Sequence, residues 1–297
     1  MSVGAAGELN GRGVEAAKVA EPRARRRWLP PPEVTLSMLF VVIVVVCAVA
    51  GSLVAPHPPA AEDLSGGLQG SSAGHLLGTD ESGRDILSRL IAGSRAALVG
   101  PLVVVIGAML IGTLFGLLAG YRGGWVDGVA MRVVDLLCSL PGLLIAVVVL
   151  GVFGGGYWIA VLVLVVLTAP YDTRLIRGAT LGQRSLPYVD AARTLGIPPS
   201  RVMSRHIWPN VLPLIIANSF LNFAFALVGL ASLAFLGLGA GPGATDWGQM
   251  LSENLPLIEE NPAAVLAPGI ALVLLALSMN LVGDWINERL AARGAAR

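Results

Sequence analysis

Charged residues are scarce in this chain of 297 residues. Asp, Glu, Lys and Arg make up 13% of it, whereas soluble domains carry roughly 25%, and the mean hydropathy is +0.75. The charges are also clustered, which leaves long neutral stretches that a soluble core of this size could not bury. The composition therefore excludes an ordinary soluble domain and predicts an all-α polytopic membrane protein. The net charge of +1 gives no reason to expect nucleic acid as a partner.

Lysine is almost absent, since Lys18 is the one lysine in the sequence. A standard ATP site needs the pattern Gly-x-x-x-x-Gly-Lys-Ser/Thr, in which the lysine reaches the phosphates. The chain therefore has no such site of its own. We also find no nucleophile motif, so no catalytic residue and no enzymatic activity are predicted.

Cysteine and histidine are rare as well. Cys47 and Cys138 fall in apolar stretches, and we interpret them as small buried side chains rather than a disulfide or a metal pair. The three histidines, His57, His75 and His206, are scattered along the sequence. Because no His, Cys or carboxylate cluster has metal-ligand spacing, no metal site is predicted.

Six uncharged stretches are long enough to cross a bilayer core of about 30 Å, which takes roughly 20 residues of helix. The first exceeds the apolar run of about 7 to 15 residues in a signal peptide, so it is interpreted as an uncleaved span. The run 136–171 is too long for one helix and is divided by glycines at 154–156, which predicts two helices joined by a tight turn. The spans lie in 35–55, 96–119, two parts of 136–171, 211–239 and 262–283.

Basic residues predict the orientation, because loops on the cytoplasmic side carry the excess of Lys and Arg. With the N-terminus inside, 17 of the 20 basic residues fall in inner segments. An even number of spans then places both termini in the cytoplasm. Residues 1–33 are predicted to be a disordered cytoplasmic tail whose arginines anchor the topology, with contact to nucleic acid or anionic lipid as the alternative.

Four regions follow from this division: the tail 1–33, the first span with an extracytoplasmic segment (34–95), a transmembrane core (96–290) with an inner loop (171–212), and a C-terminal tail (291–297). The inner loop is the most informative part. Asp190 to Leu195 predicts a short helix that ends at Gly196, and Pro198 precedes the start of another. Two short helices joined at a glycine would form a docking knob, whereas an amphipathic loop on the membrane surface is the alternative, and the pattern leaves both open.

The same loop contains Asp190-Ala191-Ala192-x3-Gly196-x9-His206-Ile207-Trp208-Pro209. This pattern resembles the EAA loop of ABC importer permeases, whose usual form is Glu-Ala-Ala-x3-Gly-x9-Ile-x-Leu-Pro. The chain departs from it by Asp190 for Glu, His206 for Ile and Trp208 for Leu. Further segments resemble the C-type permease of dipeptide, oligopeptide and nickel importers, namely 75–90, 120–124, 233–239, 246–248 and 280–284.

The resemblance implies a type I ABC importer permease fold in the cell inner membrane and a division of labour among subunits. A second, B-type permease would complete the pathway, two ABC ATPase subunits would bind ATP and Mg, and an extracytoplasmic solute-binding protein would deliver di- or oligopeptides. Nickel or another small solute is the alternative cargo. The implied ATPase-coupling residues are Tyr188, Asp190, Ala191, Ala192, Arg193, Gly196, Arg201, Arg205, His206 and Pro209.

Three features of the spans suit this reading. Small residues recur every four positions at Ala108, Gly112, Gly116 and Gly120, and such a ridge lets another helix approach closely. Asn218 and Asn222 are four apart in the fifth span; interhelical hydrogen bonding is one interpretation and lining of the pathway is the other. Separately, Arg132 and Asp135 are one turn apart, and we expect either an ion pair, a partner contact or an interfacial anchor.

A different class of protein could also have six spans. A secondary transporter or channel would place ion-handling carboxylates or broken helices at mid-membrane, and we predict that the mid-membrane regions here hold no carboxylate. A receptor-like or structural membrane protein is a third reading, which the elaborated inner loop disfavours.

Overall fold

The structure is a computed structural model that describes residues 30–63, 67–241 and 243–294. Within these ranges the regular structure is helical, apart from an isolated bridge between Thr79 and Asp85. The helices are α1 (Pro32–Val54), α2 (Ile86–Arg122), α3 (Gly124–Cys138), α4 (Gly142–Phe153), α5 (Tyr157–Arg184), α6 (Pro187–Thr194), α7 (Pro199–Val202), α8 (Trp208–Phe235), α9 (Trp247–Asn254) and α10 (Pro262–Gly294). A π turn, Met203–Ile207, joins α7 to α8, and a 3₁₀ turn, Leu255–Leu257, follows α9. Residues 1–29 of the predicted tail lie outside the described residues.

Five helical stretches of the described chain are long and apolar enough to cross a membrane, and a sixth crossing exists if α3 and α4 count as one broken span. The axis bends by 80° between these two helices. The bend falls before Pro141, where proline disfavours a helical conformation in the residue that precedes it. Large apolar side chains such as Val49, Leu53 and Val152 are exposed on the outside of the bundle, as lipid contact requires. The all-α polytopic fold is confirmed.

Two helix boundaries were predicted wrongly, because they were placed at the ends of uncharged stretches and the helices continue past them. The fourth span does not end at Tyr171 but continues to Arg184, and its arginines pair with acidic side chains of α3. The second short helix of the inner loop is not separate either, since α7, the π turn and α8 form one run, Pro199–Phe235. The loop between the spans therefore reduces to α6 and its flanking turns.

The small-residue ridge on α2 packs directly against α5, as predicted. A Cβ added at Gly116 would lie 2.8 Å from the Ile176 Cβ and 2.9 Å from the Thr173 carbonyl oxygen, and one at Gly120 would lie 2.7 Å from the Thr180 Cβ. These neighbours are backbone or adjoin it, so they cannot move aside. The two helices approach closely because the ridge lacks side chains.

The two ends of the helical bundle differ in structure. At the end where α8 begins, which we call the α6 end, α6 packs on the start of the 199–235 run. At the opposite end, the α9 end, the connection from α1 to α2 and the short helix α9 pack together over residues near Ile86, Trp247 and Met250.

Candidate coupling segment and pathway residues

The helix α6 ends where the sequence predicts. Gly196 has a φ of +73°, its N–H donates to the Arg193 carbonyl at 2.9 Å, and the N–H of Ile197 reaches back to the Ala192 carbonyl at 3.2 Å. This pair of bonds and the left-handed glycine form a helix C-cap. A side chain at Gly196 would meet no atom within 4 Å. The constraint at this position is therefore the backbone conformation and not the space.

One face of α6 is fixed to the bundle. Val189 and Ala192 are buried against Val202, Ile207 and the adjoining part of α8. Burying these apolar side chains contributes roughly 25 cal/mol per Å² of surface removed from water. The segment is thus a rigid extension of the 199–235 run, which agrees better with a knob than with a loose surface loop.

The other face of α6 is open. Asp190, Ala191 and Gly196 are exposed, and Leu195 is 80% exposed at the tip. An apolar side chain beside an open glycine offers a surface for a partner. Of the ten predicted coupling residues, Ala192 points into the bundle, His206 is half-buried, and the other eight are exposed: Tyr188, Asp190, Ala191, Arg193, Gly196, Arg201, Arg205 and Pro209.

A polar clamp joins α6 to the neighbouring helices. The Tyr188 hydroxyl donates to Gln183 Oε1 at 2.7 Å and lies 3.3 Å from the His206 carbonyl oxygen. The Asn210 amide donates to the same carbonyl at 2.7 Å and to the Tyr188 hydroxyl at 3.1 Å. Tyr188 therefore connects the end of α5 with the π turn, and its role includes holding the segment in place.

The π turn has a local cause. Trp208 donates its N–H to the Met203 carbonyl, one residue further back than in an α-helix. Pro209 follows and has no N–H to give to the carbonyl of Arg205. A single wider turn accommodates such a break in an otherwise continuous helix, and turns of this kind are frequent at functional sites.

Arg193 is held between two groups. Its guanidinium lies 5.2 Å from the centroid of the Tyr121 ring and 3.5 Å from an Asp190 carboxylate oxygen. Both partners of the ion pair are exposed, so the pair adds little stability. Arg201 and Arg205 are exposed on the neighbouring 199–235 run and add two positive charges beside α6.

Asn218 and Asn222 converge on a buried carboxylate. Their side-chain amides donate to the same oxygen, Oδ1 of Asp172, at 2.8 and 2.7 Å. Asp172 is 3% exposed and lies about midway along α5, inside a helix that the sequence predicted to end at Tyr171. The prediction that the mid-membrane regions hold no carboxylate therefore did not take this residue into account. The omission follows from the boundary at Tyr171, which assigned Asp172 to the inner loop. The geometry is that of interhelical hydrogen bonding, and lining of the pathway stays a prediction.

Asp135 also has a partner that the sequence did not indicate. Its carboxylate lies 2.7 Å from the guanidinium of Arg174 on α5, and both side chains are more than half exposed. Arg132 is exposed on the same helix. The pair joins α3 to α5, which spacing within one helix could not reveal.

The α9 end holds a buried ionic network that sequence reasoning missed. Arg89 is 1% exposed and bonds to Asp80, to Glu253 at 2.9 Å and to the Ala244 carbonyl at 3.2 Å. Arg84 joins Asp80 and Glu253 at 2.8 and 3.3 Å. Burial would raise the pKa of Glu253, but the hydrogen bond from a backbone N–H and the charge of Arg89 outweigh it and lower that pKa. The network ties the connection before α2 to α9.

Two of the histidines are not scattered in space. The rings of His57 and His75 lie 4.7 Å apart between centroids, beside the carboxylate of Asp85. The connection between α1 and α2 folds back on the start of α2, a contact that spacing in the sequence does not indicate.

Comparison with known proteins agrees with this architecture. Residues 112–293 match the family described as the inner membrane component of binding-protein-dependent transport systems. Chains from two solved crystal forms of the inward-facing MetNI methionine ABC transporter superpose on this chain with TM-scores of 0.57 and 0.55 at 20% and 21% identity. The matches cover 69% and 67% of this chain and 97% and 95% of theirs. This likeness confirms the predicted fold of an ABC importer permease.

Named relatives are similar over most of the chain. The dipeptide transport system permease protein DppC of Escherichia coli K12 is 39% identical over 86% of this chain and 87% of its own length. The glutathione transport system permease protein GsiD of Pectobacterium atrosepticum is 35% identical over 89% and 88%, and DppC of Alkalihalophilus pseudofirmus is 33% identical over 86% and 84%. On these matches, the chain belongs to the family of inner membrane components of binding-protein-dependent transport systems.

Proposed function

We propose that this permease subunit forms half of the translocation pathway of an ATP-driven importer of di- and oligopeptides. The peptide-transport names of relatives at 33–39% identity support this cargo. Nickel or another small solute is the alternative predicted from the sequence. In this proposal both termini are cytoplasmic, so the α6 end faces the cytoplasm and the α9 end faces outward.

The coupling role is supported by one observation: one face of α6 is buried and the other is exposed. Its inner face is buried on the 199–235 run, while Ala191, Leu195 and Gly196 are exposed at its tip. A loose loop would absorb a partner's movement, whereas a segment packed in this way passes it on. We therefore assign the exposed face to an ATPase subunit, which would bind the ATP and Mg that this chain has no loop to hold.

The proposed transmission runs from α6 to two spans. A push on α6 moves the π turn and α8, because Val189 and Ala192 are packed against that run. Hydrogen bonds from Asn218 and Asn222 to Asp172 make α5 follow α8, and the glycine ridge makes α2 follow α5. The bundle then rotates as a rigid body against the second permease, and closure of the two ATPases opens the pathway outward.

At the outer side, the α9 end would receive the solute-binding protein. Its surface is shaped by the network around Arg89, which links residues far apart in sequence. A rigid outer surface suits repeated docking of a delivery protein, because little conformational entropy is lost on each contact.

Purification and transport test this function together. The chain is expressed with the genes that neighbour its own, purified through a tag on this subunit, and reconstituted in liposomes with the binding protein. We expect ATPase subunits to co-elute and labelled dipeptide to enter only with ATP. Uptake of nickel but not of peptide would support the alternative cargo, and uptake by the chain alone without ATP would overturn the proposal.

A further inference from the structure

We infer that the cluster of His57, His75 and Asp85 at the α9 end is a binding site for a Zn²⁺ ion. The three residues come from separate places: His57 follows the end of α1, His75 lies in the connection, and Asp85 caps the start of α2. Their candidate ligand atoms all lie within 4.8 Å of one another. The sequence does not predict this site, because the two histidines are 18 positions apart.

The distances suit an ion after small side-chain rotations. Nδ1 of His75 lies 2.9 Å from Oδ1 of Asp85, and Nδ1 of His57 lies 3.9 Å from Oδ2. Tetrahedral Zn²⁺ with bonds of about 2.0 to 2.1 Å to nitrogen separates its ligand atoms by about 3.3 Å. The imidazoles need to shift by only about 1 Å to meet that geometry, which rotation about their side-chain bonds supplies.

His57 provides the independent sign of a ligand. Its Nδ1 is buried and has no hydrogen-bond partner, since 3.9 Å to the carboxylate is too long for a hydrogen bond. A buried ring nitrogen without a partner is costly, and a metal bond would satisfy it. The ring edge itself remains accessible, since 42% of the side chain is exposed, so an ion can enter from solvent.

The supporting contacts orient the ligands. Oδ2 of Asp85 accepts the N–H and the hydroxyl of Ser88 at 2.8 and 2.6 Å. Oδ1 is thereby turned toward the His75 ring, 2.9 Å from its Nδ1, and an ion would replace that hydrogen bond. The Ser88 hydroxyl oxygen accepts the backbone N–H of His57 at 3.0 Å.

The donor set selects the kind of ion. Two imidazoles and one carboxylate suit Zn²⁺ and related transition metals. Mg²⁺ and Ca²⁺ prefer six or more oxygen ligands, and the cluster has one carboxylate. A Zn²⁺ ion here would fasten the connection between α1 and α2 to the start of α2, next to the Arg89 network.

The test measures metal binding directly and needs no partner subunit, so it is independent of the proposed cargo. The full-length chain, with its affinity tag removed, is placed in nanodiscs, stripped with a chelator and titrated with Zn²⁺ against a competing dye. We expect one ion per chain, and at least about tenfold weaker binding for His57→Gln and for His75→Gln. The control Glu62→Gln removes an exposed charge from the same connection and should leave the affinity unchanged.

A second measurement uses the unmutated chain, so it tests the site even if the histidine variants fold poorly. Histidine modification by diethylpyrocarbonate is read by mass spectrometry on the unmutated chain, with and without Zn²⁺. Zn²⁺ should protect His57 and His75 at least tenfold, leave His206 at the other end unprotected, and do so where Mg²⁺ does not. Equal affinity in all variants, or no difference in protection among the three histidines, would overturn the proposal and leave a plain hydrogen bond between His75 and Asp85.

Discussion

Arg89 is the residue on which the α9 end depends most. Its guanidinium is buried between Asp80 and Glu253, so removing it leaves two carboxylates in a site built for a cation. We predict that Arg89→Met lowers the free energy of unfolding by about 3 to 5 kcal/mol, the usual cost of breaking a buried ion pair. Chemical unfolding of the purified chain in micelles, followed by circular dichroism, measures this loss.

Arg95 provides the matched control because it is an exposed arginine of the same helix. Arg95→Gln should change the free energy of unfolding by no more than about 0.5 kcal/mol. Equal effects of the two substitutions would show that the network around Arg89 contributes nothing special.

Substitution of Asp172 can distinguish the two interpretations of Asn218 and Asn222, which are interhelical hydrogen bonding and lining of the pathway. Replacing Asn218 and Asn222 with Leu removes both donors to one buried carboxylate oxygen, so we predict a loss of at least about 1 to 3 kcal/mol in stability. Adding Asp172→Leu should restore most of it, since an apolar group in place of both partners is nearly neutral. Unfolding of the unmutated chain, the double variant and the triple variant in micelles measures this.

Transport by the restored triple variant then decides the role of the pair. Full transport would mean that these residues only pack the helices together. Lost transport at restored stability would mean that they line the pathway. Failure of Asp172→Leu to restore stability would contradict the hydrogen-bond account.

At the scale of single residues, the sequence predicts a helix end but not the partners of buried polar side chains. Gly196 could be predicted to end a helix because a glycine with two prolines shortly after it, at 198 and 199, is a local signal, and its φ of +73° confirms this. The partners of Asn218 and Arg89 could not be predicted. They lie 46 and 164 residues away, and no local pattern encodes such contacts.

Among the elements, α2 and α5 form the closest packed pair, and their contact depends on glycine. Gly116→Ala places a methyl group 2.8 Å from the Ile176 Cβ and 2.9 Å from a backbone oxygen. We predict a loss of about 1 to 3 kcal/mol from overpacking, seen as a lower melting temperature of the chain in nanodiscs.

Gly178 on α5 is the control for that substitution, because a Cβ there meets nothing within 4 Å. Gly178→Ala should be neutral or slightly stabilising, since alanine favours a helix more than glycine does. A tolerated Gly116→Ala would show that the ridge is not the determinant of the α2–α5 contact.

Helix ends were the least predictable part of the elements. Stretches free of charge locate the middle of each span, but α5 carries Arg174 and Arg177 within the helix because Asp135 and Asp127 neutralise them. The end of an uncharged stretch therefore does not mark the end of a helix where two helices supply opposite charges to each other. The bend between α3 and α4 was also missed, although Pro141 marks it in the sequence.

For the whole molecule, orientation follows from the distribution of basic residues and is open to a labelling experiment. In a background without Cys47 and Cys138, we predict that cysteines at Ser71 and Glu260 react with an impermeant reagent from outside. Cysteines at Ser185 and Ser200 should react only after the membrane is opened. All four positions are exposed in the structure, so labelling of Ser185 from outside would contradict the orientation.

The approximate number of spans and the family were predictable for the whole molecule because both depend on local signals: apolar length for the spans, and motif spacing around Gly196 for the family. The described residues hold five spans, or six if α3 and α4 count as one broken span. The ionic network and the histidine cluster were not, because each joins segments that meet only after the chain has folded. Membership of the permease family also excludes a secondary transporter, although Asp172 gives α5 the carboxylate expected of one.

Coupling through α6 is the central claim for the whole molecule, and Gly196 tests it. Valine cannot easily adopt a φ of +73°, so Gly196→Val should change the turn that positions the tip of α6. Gly196→Asn should be tolerated better, since asparagine enters the left-handed region more readily. Asp190→Ala should do less than valine, because it removes an exposed charge whose ion pair contributes under about 1 kcal/mol.

Gly237 provides the matched control for Gly196. It has a φ of +76°, has open space around it and lies at the opposite end of the same helical run. The decisive measurement records ATPase rate and peptide uptake on one nanodisc or liposome preparation of the complete complex for Gly196→Val and Gly237→Val. The account predicts that Gly196→Val assembles but loses uptake and stimulation of the ATPase by the loaded binding protein, while Gly237→Val keeps both. Normal coupling in Gly196→Val, or equal loss in the two variants, would contradict it.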